Sequence, residues 1–405
     1  MQSFFIQPSR RRTARGFTLV ELMVAMTIGL VLALAISLSM LSMGRQFQVV
    51  GATSAAQVNV QLALSLIDGA GRTAGAGLFN NGQPVCPAFN AWNAGTMVSN
   101  GAALLPARII DGGSATASDR LVFSGSNATG SLSGMPVVAP MGAGADPITI
   151  TDGGNIAVNG LAIVGVPGSV AVPCTLFQAT AVATDTTGAS CGGNATRCKT
   201  LTHTPGGNYN PPTGTFSNEP RYGFETAGAV TGPAVVMGMG AAFRQEAYAL
   251  LCNTLVQYNA FTDAPACTTG PLSFSGGANA LVSDVVQLHA QYGISASAAS
   301  DVVTNWVDAT GADWANPTAV NAGRIKALRV VIISRSKEPS GELVTDATCT
   351  NGNSIVNTGP CTFDDAEAPV VDLSATPVPA GRSWRNYSYR VQQAVVPLRN
   401  VIWSN

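Results

Sequence analysis

Two groups of residues in this 405-residue chain have the types and spacing to do chemistry: one acid inside an apolar run, and eight cysteines. The acid is Glu21. From Phe17 to Met43 the sequence runs 27 residues with no other ionisable side chain. Inserting a carboxylate into a bilayer costs roughly 2.5–3.5 kcal/mol at the centre, less near the interface, and such a residue is a functional candidate that wants a partner. The cysteines are Cys86, Cys174, Cys191, Cys198, Cys252, Cys267, Cys349 and Cys361. None stands in a C-x-x-C pair, so structural zinc and thioredoxin-like chemistry are weak readings. Disulfides are the stronger one. Proximity suggests Cys191–Cys198, Cys252–Cys267 and Cys349–Cys361, and leaves Cys86 with Cys174.

Catalytic chemistry has little to start from. The two histidines, His203 and His289, exclude a multi-histidine metal centre, and each reads as a surface or packing residue. Asp364-Asp365-Ala366-Glu367 could offer oxygen ligands to calcium but lacks the EF-hand spacing, so it reads as a solvated acidic loop. There is no G-x-S-x-G, P-loop or H-E-x-x-H motif. The expectation is a protein that is not an enzyme and needs no metal or cofactor.

The elements that position Glu21 and the cysteines follow from charge and periodicity. Charged residues are only 11% of the chain, against 44 glycines and 23 prolines, and the net charge is −1. A chain this neutral has no bulk positive field for nucleic acid. Arg10, Arg11, Arg12 and Arg15 precede the apolar run, with no acid among the first 16 residues. That run is long enough to span a hydrocarbon core of about 30 Å. The arginines orient it, with the N-terminus in the cytoplasm and the chain beyond Arg45 outside. Outside means an oxidising compartment, which suits the cysteines. From Arg45 onward Phe47, Val50, Val58, Leu62 and Leu66 recur at helical spacing, which predicts an amphipathic continuation with Val58, Leu62 and Leu66 packed in a core. The stop is expected at Asp68-Gly69-Ala70-Gly71, with Gly75-Ala76-Gly77 behind it.

Beyond residue 78 short β-prone runs alternate with Gly, Pro, Asn and Asp. They are Leu121–Phe123, Ile148–Ile150, Ile156–Val158, Leu161–Val164 and Val170–Val172. A hairpin is expected from Ala242–Leu251 and Leu255–Phe261. Ile325–Ser334 is apolar on both faces and reads as a central strand; Tyr387–Gln393 alternates and reads as half-exposed. The fold class is therefore α+β: a long N-terminal helix, transmembrane in its first half, on a β-rich, disulfide-stapled head.

The N-terminus admits a plain anchor, a cleaved signal (Ala33-Leu34-Ala35) or twin-arginine export (Ser9-Arg10-Arg11-Arg12), but none of these explains Glu21. Arg15-Gly16-Phe17-Thr18-Leu19-Val20-Glu21-Leu22-Met23-Val24-Ala25-Met26 resembles a type IV prepilin processing site nearly residue for residue. The resemblance implies cleavage between Gly16 and Phe17 by a prepilin peptidase and N-methylation of Phe17. It also implies that the new Phe17 amine, of this or a neighbouring subunit, is the partner of Glu21, one helical turn away. Further along, Val285–Gly293, Trp306, Trp314, Arg329-Val330-Val331 and Tyr389-Arg390 … Leu398-Arg399-Asn400 resemble the PilW-like minor pilins, and also the J-type minor pseudopilins of type II secretion.

The implied organisation is a leader (1–16), a transmembrane helical half (17–44), an amphipathic half (45–70), a Gly/Thr-rich β elaboration (71–240) and a C-terminal β-sheet part (241–405). The implied function is a minor pilin that helps initiate and cap type IV pilus assembly. The alternatives are a J-type pseudopilin or a tip adhesion module. The implied partners are other minor pilins, the major pilin, an inner-membrane platform protein, the peptidase and a tip adhesin. The implied location is the bacterial inner membrane, single-pass with the head in the periplasm, and then the pilus tip.

Overall fold

The computed structural model describes residues 18–80, 83–126, 134–153, 156–193, 195–216, 234–268 and 274–404. The chain falls into two units, residues 1–54 and 55–405, and one helix, Leu19–Thr73, runs from the first into the second. In the first unit Leu, Ala, Met and Val dominate, and Leu19–Met40 is long and apolar enough to cross a membrane. Side chains from Thr18 to Met40 are exposed on the isolated chain, as befits a surface made for lipid or other helices. The hydroxyls there are tied back into the helix. Thr27 Oγ1 donates to Val24 O at 2.9 Å, and Ser37 Oγ to Ala33 O at 2.8 Å. An unpaired donor in hydrocarbon is thereby avoided.

In the second unit the helix buries a different stripe from the one its large residues predict. Val60, Ala63, Leu64 and Ile67 lie in the core, whereas Val58 and Leu62 are 60% and 48% exposed and Leu66 is only partly buried. The periodicity holds, but the buried face is chosen by how closely the sheet can approach, and small residues (Ala63, Gly71, Ala74) permit that. The helix also runs through Asp68-Gly69-Ala70-Gly71 to Thr73, held by an Asp68–Arg72 ion pair at 2.6 Å and by tertiary packing. A Cβ placed on Gly71 would stand 2.3 Å from Val396 Cγ1 and 3.4 Å from the Phe123 ring. Alanine at this position would ordinarily gain about 1 kcal/mol of helix propensity. Here overpacking, at about 1–3 kcal/mol, outweighs it, so Gly71→Ala should lower the urea midpoint of the purified chain. A raised midpoint would contradict the close approach.

A four-stranded antiparallel sheet carries the C-terminal part, in the order Val303–Val307, Val285–Ser295, Ile325–Arg335, Tyr389–Pro397. Ile325–Arg335 is interior and buried on both faces, as its unbroken apolar run predicts, and Tyr389–Pro397 is a half-exposed edge. One face (Leu288, Ala290, Tyr292, Leu328, Val330, Ile332, Val396) shares the core of the helix. On the other, Val331 and Ile333 are covered by Val371, Leu373 and Tyr387, so the long connection between residues 335 and 389 closes over the sheet.

A five-stranded sheet draws on both sides of residue 240: Asn279–Ser283, Thr254–Asn259, Phe243–Leu251, Arg120–Ser126, Ala107–Ile110. The hairpin expected around Cys252-Asn253 forms, with Leu251 opposite Thr254. Cys252 and Asn253 take φ of 50° and 55°, the left-handed pair that matches the twist of a two-residue hairpin. In the Gly/Thr-rich region a six-stranded and a three-stranded sheet share a second core that includes Ile148, Val164, Phe177 and Val236. The runs at 121–123, 148–150 and 161–164 are strands. Ile156–Val158 and Val170–Val172 are not. They sit in irregular chain with Val158 53% and Val170 69% exposed, since three apolar residues between Gly and Pro turns are too few to hold a ladder.

Four disulfides staple the head: Cys86–Cys174, Cys191–Cys198, Cys252–Cys267 and Cys349–Cys361, spanning 88, 7, 15 and 12 residues. In the chain-entropy account a bridge stabilises by restricting the unfolded chain, by about 3 kcal/mol for a 15-residue loop and more for longer ones. Cys86–Cys174 therefore contributes most.

Candidate functional site

At the N-terminal end, Gly16 and Phe17 lie outside the described residues. Glu21 occupies the first turn of the helix and is exposed. Its carboxylate accepts from the Thr18 backbone N–H and from Thr18 Oγ1, both at 3.4 Å, while the Glu21 N–H donates to Thr18 Oγ1 at 3.2 Å. This is a reciprocal capping box, and its signature, Thr-x-x-Glu ahead of an apolar run, is readable in the sequence. Glu21 thus also acts locally, closing the helix end. A carboxylate at that end also complements the helix dipole.

The second site is in the head. On Val285–Ser295 the residues Gln287, His289 and Gln291 alternate with the core residues Leu288, Ala290 and Tyr292, so they share the opposite face. All three are buried. Each meets a different part of the chain that covers the sheet. Gln291 lies opposite Arg329 on Ile325–Arg335 and accepts from Arg329 Nε. Arg329 is 2% exposed and spreads its fork. Nη1 reaches Asp365 Oδ2 at 2.6 Å, and Nη2 donates to Glu367 O. Its guanidinium is sandwiched, with the Trp306 ring centre 5.0 Å away and that of Phe363 4.9 Å away. Gly293 lets the Trp306 ring lie down, because a Cβ there would be 2.6 Å from Trp306 Cζ3.

The acidic loop is therefore not free in solvent. The Trp306 N–H donates to Glu367 Oε2 at 2.7 Å, the Gly352 N–H to Asp364 Oδ1 at 2.7 Å, and Gln291 Nε2 to Asp308 Oδ1 at 2.7 Å and Glu367 O at 2.8 Å. A buried cation with no acid on its own sheet draws the acids to it. Arg329 is the reason the loop docks, and lysine could not replace its planar fork between two rings.

Further along the same row, Asp119 reaches the strand from the five-stranded sheet. Asp119 Oδ1 accepts from the Gly112 N–H at 2.9 Å and Oδ2 from the Ala290 N–H at 2.8 Å, and the Asp119 N–H donates to Leu288 O at 2.8 Å. A carboxylate here stands in for a missing strand. His289 Nδ1 lies 3.9 Å from Asp119 Oδ2, and its Nε2 finds no hydrogen-bond partner among the described residues. Burial pushes the Asp119 carboxyl up to about 7, helped by Asp111 and Asp308 and opposed by the two backbone donors. Burial pushes the His289 imidazole down to about 4. Gln287 Nε2 completes the row by donating to Ala115 O at 3.3 Å and Asp372 O at 2.6 Å.

Sequence reasoning singles out Trp306, Arg329 and the Tyr292-Gly293 pair, and the structure brings them together. It misses Asp119, Gln287 and Gln291, although three polar residues alternating through an apolar strand are a usable signal. His203 does pack: its ring lies 5.6 Å from Phe177, and Nε2 bonds Asp146 O at 2.9 Å.

Residues 267–400 match the family model of type IV pilus-assembly protein W, and residues 11–37 match the prokaryotic N-terminal methylation motif. No curated protein and no solved structure matches the chain. The first match takes in the four-stranded sheet, the polar row and the docked acidic loop; the second contains Gly16, Phe17 and Glu21. An apolar N-terminal helix that matches the methylation motif and a C-terminal part that matches a pilus-assembly family, in one chain, support a PilW-like minor pilin of the type IV pilus.

Proposed function

We propose that this pilin helps to initiate and cap pilus assembly, without catalytic activity of its own. Its N-terminal helix associates with those of other minor pilins in the inner membrane. The resulting small complex serves as a template for the major pilin and ends at the pilus tip. The supporting observation is Glu21, the one ionisable group between Phe17 and Met43, inside the methylation-motif match. After cleavage an amine at Phe17 neutralises it, or the amine of a neighbouring subunit does, which sets the stagger between helices. The match to a pilus-assembly family supports this role over the J-type pseudopilin. On this reading the head is periplasmic before assembly, and the partners are other minor pilins, the major pilin, a platform protein, the peptidase and a tip adhesin.

Gly16→Val should leave the 16-residue leader in place, so the chain keeps all 405 residues instead of 389 (405 − 16). Intact mass reads this directly, and an unchanged mature mass would refute the cleavage position. Glu21→Ala should insert normally but lower surface pili several-fold, counted by electron microscopy. Full piliation would remove the pairing from the mechanism. An epitope tag on the head should decorate pilus ends; decoration along the shaft would overturn the capping role.

A further inference from the structure

The chain contains one Asp-Pro pair, Asp146-Pro147, and the fold sets a histidine on the bond that joins them. Proline has no N–H, so the Asp146 side chain cannot be attacked by the following amide nitrogen. What remains within a five-membered ring of its carboxylate is its own main-chain carbonyl carbon. The group that would leave is a secondary amine, more basic than the amine of other residues. Asp146 closes a surface turn beside the second core. Its N–H donates to Ala143 O at 3.1 Å, and its Oδ2 accepts from the Ala143 N–H at 2.8 Å. Among the described residues no other hydrogen bond reaches this carboxylate. Pro147 is exposed, and the strand Ile148–Thr151 begins directly after it. In the three-stranded sheet Leu201 lies opposite Ile148, and this register carries His203, just past the end of Cys198–Thr202, to Asp146. His203 Nε2 lies 2.9 Å from Asp146 O. A carbonyl oxygen only accepts, so Nε2 carries the hydrogen. The ring packs edge-on against Phe177, and burial pushes the imidazole below its ordinary value of 6.5. Near neutral pH it is therefore a fixed, neutral donor. A cleft lined by Gly144, Ala145, Ile148, Phe177 and His203 opens beside the bond and admits water.

We propose that the head cuts its own backbone between Asp146 and Pro147, with Asp146 as nucleophile and His203 as the donor to the reacting carbonyl. A carboxylate oxygen of Asp146 attacks the Asp146 carbonyl carbon. Nucleophile and electrophile belong to one residue, so no translational freedom is lost in bringing them together. Negative charge develops on the carbonyl oxygen, which His203 Nε2–H already meets; a preset donor at such an oxygen is worth roughly a hundredfold or more in rate. The C–N bond breaks, its electron pair stays on the Pro147 nitrogen, and that nitrogen takes a proton from water in the cleft. The other product is a five-membered cyclic anhydride. Water opens it and leaves Asp146 with two carboxyl groups, so the net reaction is hydrolysis and consumes only water. The cut does not shed the head. Cys86 precedes it and Cys174 follows it, whereas the other three bridges all lie beyond residue 147. The piece that carries the N-terminal helix stays joined to residues 147–405 through this one buried bridge. The self-cleavage goes beyond the pilin reading and does not depend on it.

The test uses the full chain, purified in detergent without reductant and incubated at neutral pH. Reducing gels sampled over days should show a growing fragment whose first residue is Pro147. Without reduction the chain should stay one species, heavier by one water in its intact mass. Asp146→Asn keeps an acceptor for the Ala143 N–H but has no carboxylate, and should abolish the cut. His203→Phe keeps a ring against Phe177 without the donor, and should slow the cut by roughly a hundredfold. His203→Gln, which retains an N–H donor, should restore part of the rate. The wild-type chain unfolded in guanidinium at the same pH measures the lability that any Asp-Pro bond has, and should be cut about tenfold more slowly than the folded chain, or slower still. Absence of the Pro147 fragment, an unfolded chain cut as fast as the folded one, or a His203→Phe variant cut at the wild-type rate would each overturn the proposal.

Discussion

Replacing Arg329 by alanine should destabilise the head by about 3–5 kcal/mol, a large share of the total stability of a domain. The guanidinium is 2% exposed, lies between the Trp306 and Phe363 rings, and donates to Gln291, Asp365 and Glu367. Alanine leaves the Gln291 and Glu367 acceptors without this donor, at about 1–3 kcal/mol each, and opens the slot between the rings. Asp365 adds little, because it is already 42% exposed and returns to water. Arg329→Lys keeps the charge but loses the fork and much of the stacking, and should cost about 2 kcal/mol. Arg329→Met fills the slot without burying a charge and should cost less than alanine. Urea midpoints of the three variants give the order. An alanine variant within about 0.5 kcal/mol of wild type would mean that the pair behaves as a surface ion pair. Limited proteolysis adds a local readout: the alanine variant should be cut first between residues 361 and 372, where the docked loop has lost its anchor.

The second large effect is a pH profile hidden in the wild type. Asp119, with its carboxyl raised to about 7, binds a proton in the folded state that the unfolded chain has already released above its ordinary value of 3.8. Its contribution to stability is therefore full at low pH and falls as pH rises from about 4 to 7. His289, lowered to about 4 from 6.5, does the reverse. The unfolded chain holds the extra proton, so stability rises between about pH 4 and 6.5. One proton against one proton cancels over most of that window, and the wild-type profile should be nearly flat until it dips close to neutrality. Single substitutions unmask each half. His289→Gln should give stability that falls by up to about 1.4 kcal/mol per pH unit from 4 to 7. Asp119→Asn should give stability that climbs by a similar amount per unit up to 6.5. Urea unfolding at pH 4.5 and 7 distinguishes these slopes by sign. Two variants as flat as wild type would show that burial does not govern these groups.

Local chemistry made part of the molecule legible in the residues alone. The apolar run with its single acid, the hairpin on Cys252-Asn253 and the doubly buried Ile325–Arg335 strand all depend on neighbours within a few positions. The cysteine pairs that staple short loops follow for the same reason. The stripe that the helix buries did not follow, because Val58 and Leu62 dominate any hydrophobicity count, whereas contact distance favours Ala63, Gly71 and Ala74. The docking of the acidic loop was illegible for a related reason: it depends on Arg329, which is 36 residues away from Asp365 in sequence.

From the residues in order came the apolar helix long enough to cross a membrane, its methylation motif and the α+β class, since charge, apolar length and periodicity act over one or two helical turns. The buried helix face, the polar row of Gln287, His289 and Gln291 and the Asp119 latch depended on which distant segments meet. Desolvation and close packing set those contacts, and both are properties of an enclosed volume rather than of any stretch of chain.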